Sequence, residues 1–355
     1  MSRLTLFLAL LLASPALVDP GSTRAAPLFA DDAALEMEFE LDMSRLCRNP
    51  TSGKCKDLPA AIAYNADDGT RVRLDVMVRT RGRWNRRTRN CSVPALFIYF
   101  DAAQTQGTLF EGQSMLPFTS HCRHGRRQYH AYMMKEYLAH RIYNFLTAAS
   151  LKVRLAHIAY IDNGSDVRYR RYGFFVEHFE SAAERLDAEL YSVDSLDPRE
   201  TNPNELATLS LFQYMIGNLD WSVTKQHNIV LMRRQDETVL ALPFDFDYSG
   251  LVDAEYAAPP SEFHLRDVTD RLYRGYCRPG IDWGQLFANF LAVRPDISRL
   301  IDELKKQSSR TALHRANWFL YNFWRIIESD AKRTQRIVDS CRRMPAPSKA
   351  QQTSA

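Results

Sequence analysis

Apolar and polar positions change period several times along the chain, and each change marks an element. Pro59 to Tyr64 and Arg71 to Arg79 are runs of strand-forming residues on either side of Asn65-Ala66-Asp67-Asp68-Gly69, a β-hairpin signal. "ALFIYF", Ala95 to Phe100, reads as a short apolar strand. Met134, Leu138, Ile142 and Phe145 then recur at helical spacing and predict a helix from Gln128 to Thr147. "VRLAHIAYI" and "RRYGFFVE" predict two strands around the turn "DNGSD", followed from Phe179 to Arg199 by an acidic, polar connector or short helix. Asn202-Pro203-Asn204-Glu205 is a helix start, with Asn as N-cap, Pro at the first position and Glu at the third. Leu206, Leu209, Phe212 and Ile216 line one face of that helix, and Gly217-Asn218 ends it. Asn228 to Met232 and Thr238 to Leu242 predict a second hairpin around "RRQDE". Beyond Pro279 the pattern is helical, with core positions at Trp318, Phe319, Phe323 and Ile326.

That order predicts an α+β, two-lobed fold of protein-kinase type. A small β-rich N-lobe with one long helix would occupy residues 27–178, and a mainly helical C-lobe residues 179–343. Residues 344–355, "MPAPSKAQQTSA", are polar and low in complexity and are expected to be disordered. At 355 residues and 45% hydrophobic, the chain supplies one large core or two. A net charge of +4 with 25% charged residues is ordinary and gives no reason to expect a nucleic-acid partner.

The first 26 residues read as a secretory signal. Met1-Ser2-Arg3 precedes an apolar run, Leu4 to Leu12, too short to span a bilayer. Ser14 and Ala16 fit a cleavage site, with Ala25 or Ala26 a later option; no later segment reaches transmembrane length. Export to the periplasm or the exterior turns the six cysteines into disulfide candidates. Cys47 and Cys55 close a short loop and form the first expected pair, Cys91 and Cys122 the second. C-x-x-C spacing is absent, which argues against zinc.

Candidate chemistry gathers in "GNLDWSVTKQHN", residues 217–228, and "LALPFDFDYSG", residues 240–250. Phosphoryl transfer needs a carboxylate to orient a hydroxyl, oxygen ligands for a divalent metal, and donors over the phosphates. Asp220 is placed for the first role; Asn228 and Asp245, with Asp247 as alternative or second ligand, are placed for the metal. "RTRGRWNRRTR" is the sharpest local charge feature. Gly82 would let the backbone approach phosphates while Arg79, Arg81 and Arg83 bind their oxygens. The bland alternatives are a solvated basic loop and a pair of turn-capping aspartates. His121, His124, His130 and His140 lie near the long helix without metal-site spacing, and read as ordinary structural or exposed histidines.

"GNLDWSVTKQHN", "LPFDFDYSG" and "RTRGRWN" together resemble the spore-coat-protein-H (CotH) family of atypical secretory-pathway kinases, over roughly Leu74 to Gly250. "GTLFEGQ" and "RLYRGYCR" are similar to segments shared by a set of exported bacterial proteins. The first resemblance implies a kinase using ATP with Mg2+ or Mn2+ and acting on a protein or cell-envelope acceptor. Asp220, Asn228 and Asp245 or Asp247 stand at the matching positions, and Glu136 at that of the helix glutamate. Two departures stand out. Eight residues separate Asp220 from Asn228, where a protein-kinase loop has about five, and no lysine occurs between Asp57 and Met134. The family's Pro-Lys-Lys is here Pro94-Ala95-Leu96. A nucleotide-binding pseudokinase and a cell-envelope interaction protein are therefore the alternatives.

Overall fold

Strand β1 (Leu35–Leu41) decides the architecture, because it pairs on both of its edges. β2 (Leu58–Asn65), β3 (Arg71–Thr80) and β4 (Leu96–Tyr99) follow, then a one-turn helix, α1 (Ala102–Thr105), and β5 (Met115–Thr119). The long helix α2 (Arg127–Leu146) precedes β6 (Val153–Asp162) and β7 (Val167–Val176). The computed structural model describes residues 27–47, 55–82 and 90–345. The expected signal segment, Arg83 and most of the expected disordered tail lie outside those residues.

Pairing runs β1-β2-β3-β4-β5-β7-β6 and returns to β1, so the sheet closes into a seven-stranded barrel. Every contact is antiparallel except β1 with β6, which is parallel from Leu35 opposite Ala156 to Leu41 opposite Asp162. This corrects the expected two-lobed kinase-like fold with its small N-lobe sheet. The strand responsible was outside the expected set, although "LEMEFEL" alternates cleanly. Leu35, Met37, Phe39 and Leu41 point inward and are buried. Outward, Glu36 meets His157 at 2.8 Å, Glu38 meets Arg71 at 2.5 Å and Glu40 meets Arg73 at 2.8 Å. A strand paired on both sides leaves no edge to template aggregation. β5 also escapes a pattern reading, because Pro117 argues against a strand.

Two cores meet at the barrel wall. Inside, Phe39 packs edge-on to Phe118 and beside Tyr160, with Phe110 and Phe175 completing the filling. Outside, Leu155 of β6 and Phe174 of β7 pack on α2. After β7 come α3 (Phe179–Arg185), β8 (Ala188–Tyr191), α4 (Pro203–Ile216), β9 (Ile229–Arg234) and β10 (Val239–Pro243). α5 (Trp283–Ala292), α6 (Arg294–Gln307) and α7 (Arg310–Ile327) then form the helical layer. β10, β9 and β8 make a separate three-stranded sheet. From Met133 to Tyr143 every α2 residue is buried, because the barrel wall covers one side and α4, α6 and α7 the other. One continuous apolar cluster therefore joins barrel wall, α2 and helical layer, with no separation into lobes. On α7, Phe323 is buried as expected, whereas Trp318 and Tyr321 are exposed.

Three disulfides are present: Cys47–Cys55, Cys91–Cys122 and Cys277–Cys341. They fit an exported protein in an oxidising compartment. No helix among the described residues is long and apolar enough to cross a membrane.

If β1 closes the barrel through its buried face, Phe39→Ala should cost about 3–5 kcal/mol, the range for emptying a buried aromatic site. Glu38→Ala, which breaks only an exposed ion pair, should cost less than about 1 kcal/mol. Urea denaturation of both variants checks the contrast, and equal costs would contradict it.

Candidate functional site

The loop after α4 is held from both ends. Asn202 caps the helix start, its side chain accepting from the Asn204 and Glu205 N–H groups. Gly217 ends it in the left-handed region at φ 64°. The Asn218 side chain accepts from the Asp220 N–H at 3.0 Å, and Arg274 donates to the carbonyls of Leu219 and Trp221. Asp220 is thus presented on a fixed backbone. Its two oxygens are both engaged: Oδ1 lies 2.7 Å from His227 Nε2, and Oδ2 accepts from Asn228 Nδ2 at 3.1 Å.

The long Asp220–Asn228 spacing has a local explanation. Ser222 and His227 exchange two backbone hydrogen bonds of 2.9 Å, so residues 223–226 loop out and the chain returns beside its start. Asn228 then also donates to the Asp220 carbonyl at 2.8 Å. The β9–β10 register sets Ile229 opposite Pro243, and the Phe244 N–H reaches the Asn228 carbonyl at 3.1 Å. Register therefore brings Asp245 to the Asn228 end of the hairpin. Asn228 and Asp245 both sit at positive φ, 52° and 63°. That conformation is uncommon for non-glycine residues, and asparagine and aspartate tolerate it best.

The barrel supplies the opposite wall. Phe97 of β4 and Met115, Pro117 and Thr119 of β5 alternate with buried interior residues, so they face outward. They bound a cavity of about 620 Å³ together with Arg81, Gly82, Glu136, Asp220, Asn228, Asp245 and Asp247. Gly82 takes φ 77°, a conformation glycine adopts without steric cost. Arg81 reaches the Thr119 hydroxyl at 3.4 Å.

Arg79 is not part of this group. It points to the outer surface of β3, paired with Asp57 at 2.5 Å and lying over the Tyr99 ring. β3 ends at Thr80, so strand alternation does not carry Arg79 and Arg81 to one side. The first lysine after the stretch from Asp57 to Met134, Lys135, does not fill the gap either. It lines a different cavity and donates to the Val252 carbonyl.

Acidic side chains crowd the floor. Burial, reinforced by the Asp245 charge and opposed by Arg81, pushes the Glu136 carboxyl up to about 8. Burial lifts Asp247 well above the usual carboxylate range, and the neighbouring Asp245 and Glu136 raise it further. A hydrogen bond with Asp245 also favours its protonated form, while one from the Tyr256 hydroxyl at 3.1 Å works the other way. Burial, with help from Arg81, pushes His140 down to about 3, so it is a neutral ring.

An all-oxygen set of Asp245, Asp247 and the Asn228 amide oxygen is chemically suited to Mg2+ or Mn2+. Among the described residues, however, no three acids, histidines or cysteines are arranged as a ready-made metal group. His227 and Tyr256, which hold Asp220 and Asp247, were not singled out from sequence. His227 adjoins Asn228 inside the quoted motif and could have been read from it; Tyr256 could not.

No protein-family model matches the chain, and no curated protein matches it.

Glu136 has a folded-state value of about 8 against an ordinary 4.5, so the native state holds its proton more tightly than the unfolded chain. The stability this provides is complete below pH 4.5 and is lost as pH rises to about 8, after which the contribution is flat. Asp247 contributes with the same sign. Glu136→Gln should therefore flatten the fall in unfolding free energy between about pH 5 and 8. Denaturant titrations at a series of pH values check this, and parallel curves for variant and parent would contradict it.

Proposed function

We propose that the cavity is a metal-dependent phosphoryl-transfer site, moving the γ-phosphoryl group of ATP to a hydroxyl of a protein or cell-envelope acceptor. The observation supporting it is the meeting of Asp220, Asn228, Asp245, Asp247, Glu136 and Arg81 around one cavity. Residue roles follow the resemblance to the CotH family, carried by a barrel with a helical layer.

Asp220 orients the acceptor and takes its proton as the oxygen attacks. The new bond joins the acceptor oxygen to the γ-phosphorus; the bond to the bridging oxygen breaks, and ADP leaves with the electron pair. His227 and Asn228 keep the Asp220 carboxylate in one orientation throughout. Arg81 and the backbone at Gly82 contact phosphate oxygens. Four carboxylates and only one arginine or lysine, Arg81, are among the described lining residues. Asp245, Asp247 and Asn228 would hold a divalent ion, which would supply positive charge against the phosphates.

That same shortage of cations favours one second reading, nucleotide binding without transfer. Asp220→Asn separates the two. It should slow transfer by about 10²–10⁴-fold, the usual contribution of a positioned base, with nucleotide affinity nearly unchanged. Unchanged transfer would remove Asp220 from the chemistry, and binding without transfer in the parent protein would support the second reading. Arg81→Ala should weaken nucleotide binding by about 1–3 kcal/mol, the range for a charge-assisted hydrogen bond. Arg79→Ala, on the outer surface, should leave it unchanged. Calorimetry with metal present checks the pair, and equal effects would reduce the arginines to a solvated basic surface.

A further inference from the structure

A second and larger cavity, about 930 Å³, opens on the other side of α2. Its charge is opposite to that of the first. Six arginines and two lysines line it against a single carboxylate, Asp253, among the described residues. Arg127, Arg171, Lys306 and Arg315 have no carboxylate partner among those residues. A cavity lined by charges of one sign draws counter-ions of the other to it.

The backbone points the same way. α2 and α7, helices of 20 and 18 residues, both begin at this cavity, and neither has an acidic residue in its first turn. N-terminal N–H groups and the helix dipole favour an anion there. A third observation is independent of charge. His121 is 1% exposed, lines the cavity, and has no hydrogen-bond partner on either ring nitrogen. A buried polar group left unpaired is costly, and a ligand in the cavity would satisfy it.

We infer that this cavity is a binding site for a small, multiply charged phosphate compound, separate from the acidic cavity. Arginine matches phosphate oxygens in a planar, bidentate way, which suits phosphate better than a single carboxylate. The volume is that of a small-molecule site. The cations surround one cavity and do not follow a line, which favours a compact polyanion over a nucleic-acid strand. His121 supplies a ring N–H to the anion, and Arg127, at the start of α2, and Arg315, in the second turn of α7, hold it from two sides. The inference does not depend on phosphoryl transfer in the other cavity.

Inorganic tripolyphosphate is the probe, with binding followed by calorimetry on the full chain without added metal. Saturable binding is expected, weakened about 10- to 100-fold by Arg315→Ala or Arg127→Ala, as for a lost charged hydrogen bond, and unchanged by Arg81→Ala. Both arginines are exposed, so unfolding midpoints should stay close to that of the parent; Lys306→Ala gives a third exposed test. No saturable binding overturns the inference. So does binding lost in Arg81→Ala but kept in Arg315→Ala, which would put the anion in the acidic cavity. Preference for a single-stranded oligonucleotide, with small equal losses at every cation, would assign a polymer track and equally overturn it.

Discussion

Burial of the central part of α2, Met133 to Tyr143, on all sides is the constraint that organises this protein. A helix between a barrel wall and a helical layer has no solvent face on which to place polar side chains, so each must find a partner or border a cavity. Arg141 leaves the core toward Asp32 at 2.7 Å. Lys135 reaches the Val252 carbonyl at the edge of the basic cavity. Glu136 and His140 border the acidic one. The two cavities are thus opposite consequences of one buried helix.

In the acidic cavity, backbone geometry and charge work together. The Ser222–His227 bridge shortens a long loop, the β9–β10 register delivers the aspartates, and the end of β3 turns Arg81 inward. What these devices assemble is electrostatically unfavourable as it stands, because Glu136 and Asp247 are driven toward their protonated forms. A proton and a divalent cation are alternative ways to neutralise these buried, crowded carboxyls, and metal binding releases protons from its ligands. That exchange is the proposed link from fold to chemistry.

Local elements were legible in the sequence because their signals are local. The Pro59–Arg79 hairpin, the Asn202 cap and the α2 periodicity each correspond to an observed element within a residue or two. Barrel closure was not, because β1 meets β6 about 120 residues later, and nothing in a period-two pattern names a partner. Of the residues singled out for the site, Asp220, Asn228, Asp245, Asp247, Glu136, Arg81 and Gly82 border one cavity. Arg79 departs because alternation ends with the strand at Thr80, and Arg83 lies outside the described residues. Tyr256 carries no sequence signal, since its role comes only from a contact with Asp247. The basic cavity drew on Arg127, Arg171, Lys306 and Arg315, which are too far apart in sequence to be read as one cluster.

The most direct test of the central claim is the proton count on metal binding. Mn2+ titrated calorimetrically at pH 7 in buffers of different ionisation enthalpy gives the protons released per ion bound. Displacement of the protons held by Glu136 and Asp247 requires saturable binding with net release of about one proton or more, reduced in Asp247→Asn. No binding, or binding with no proton released, would contradict the account of this cavity as a site poised between proton and cation.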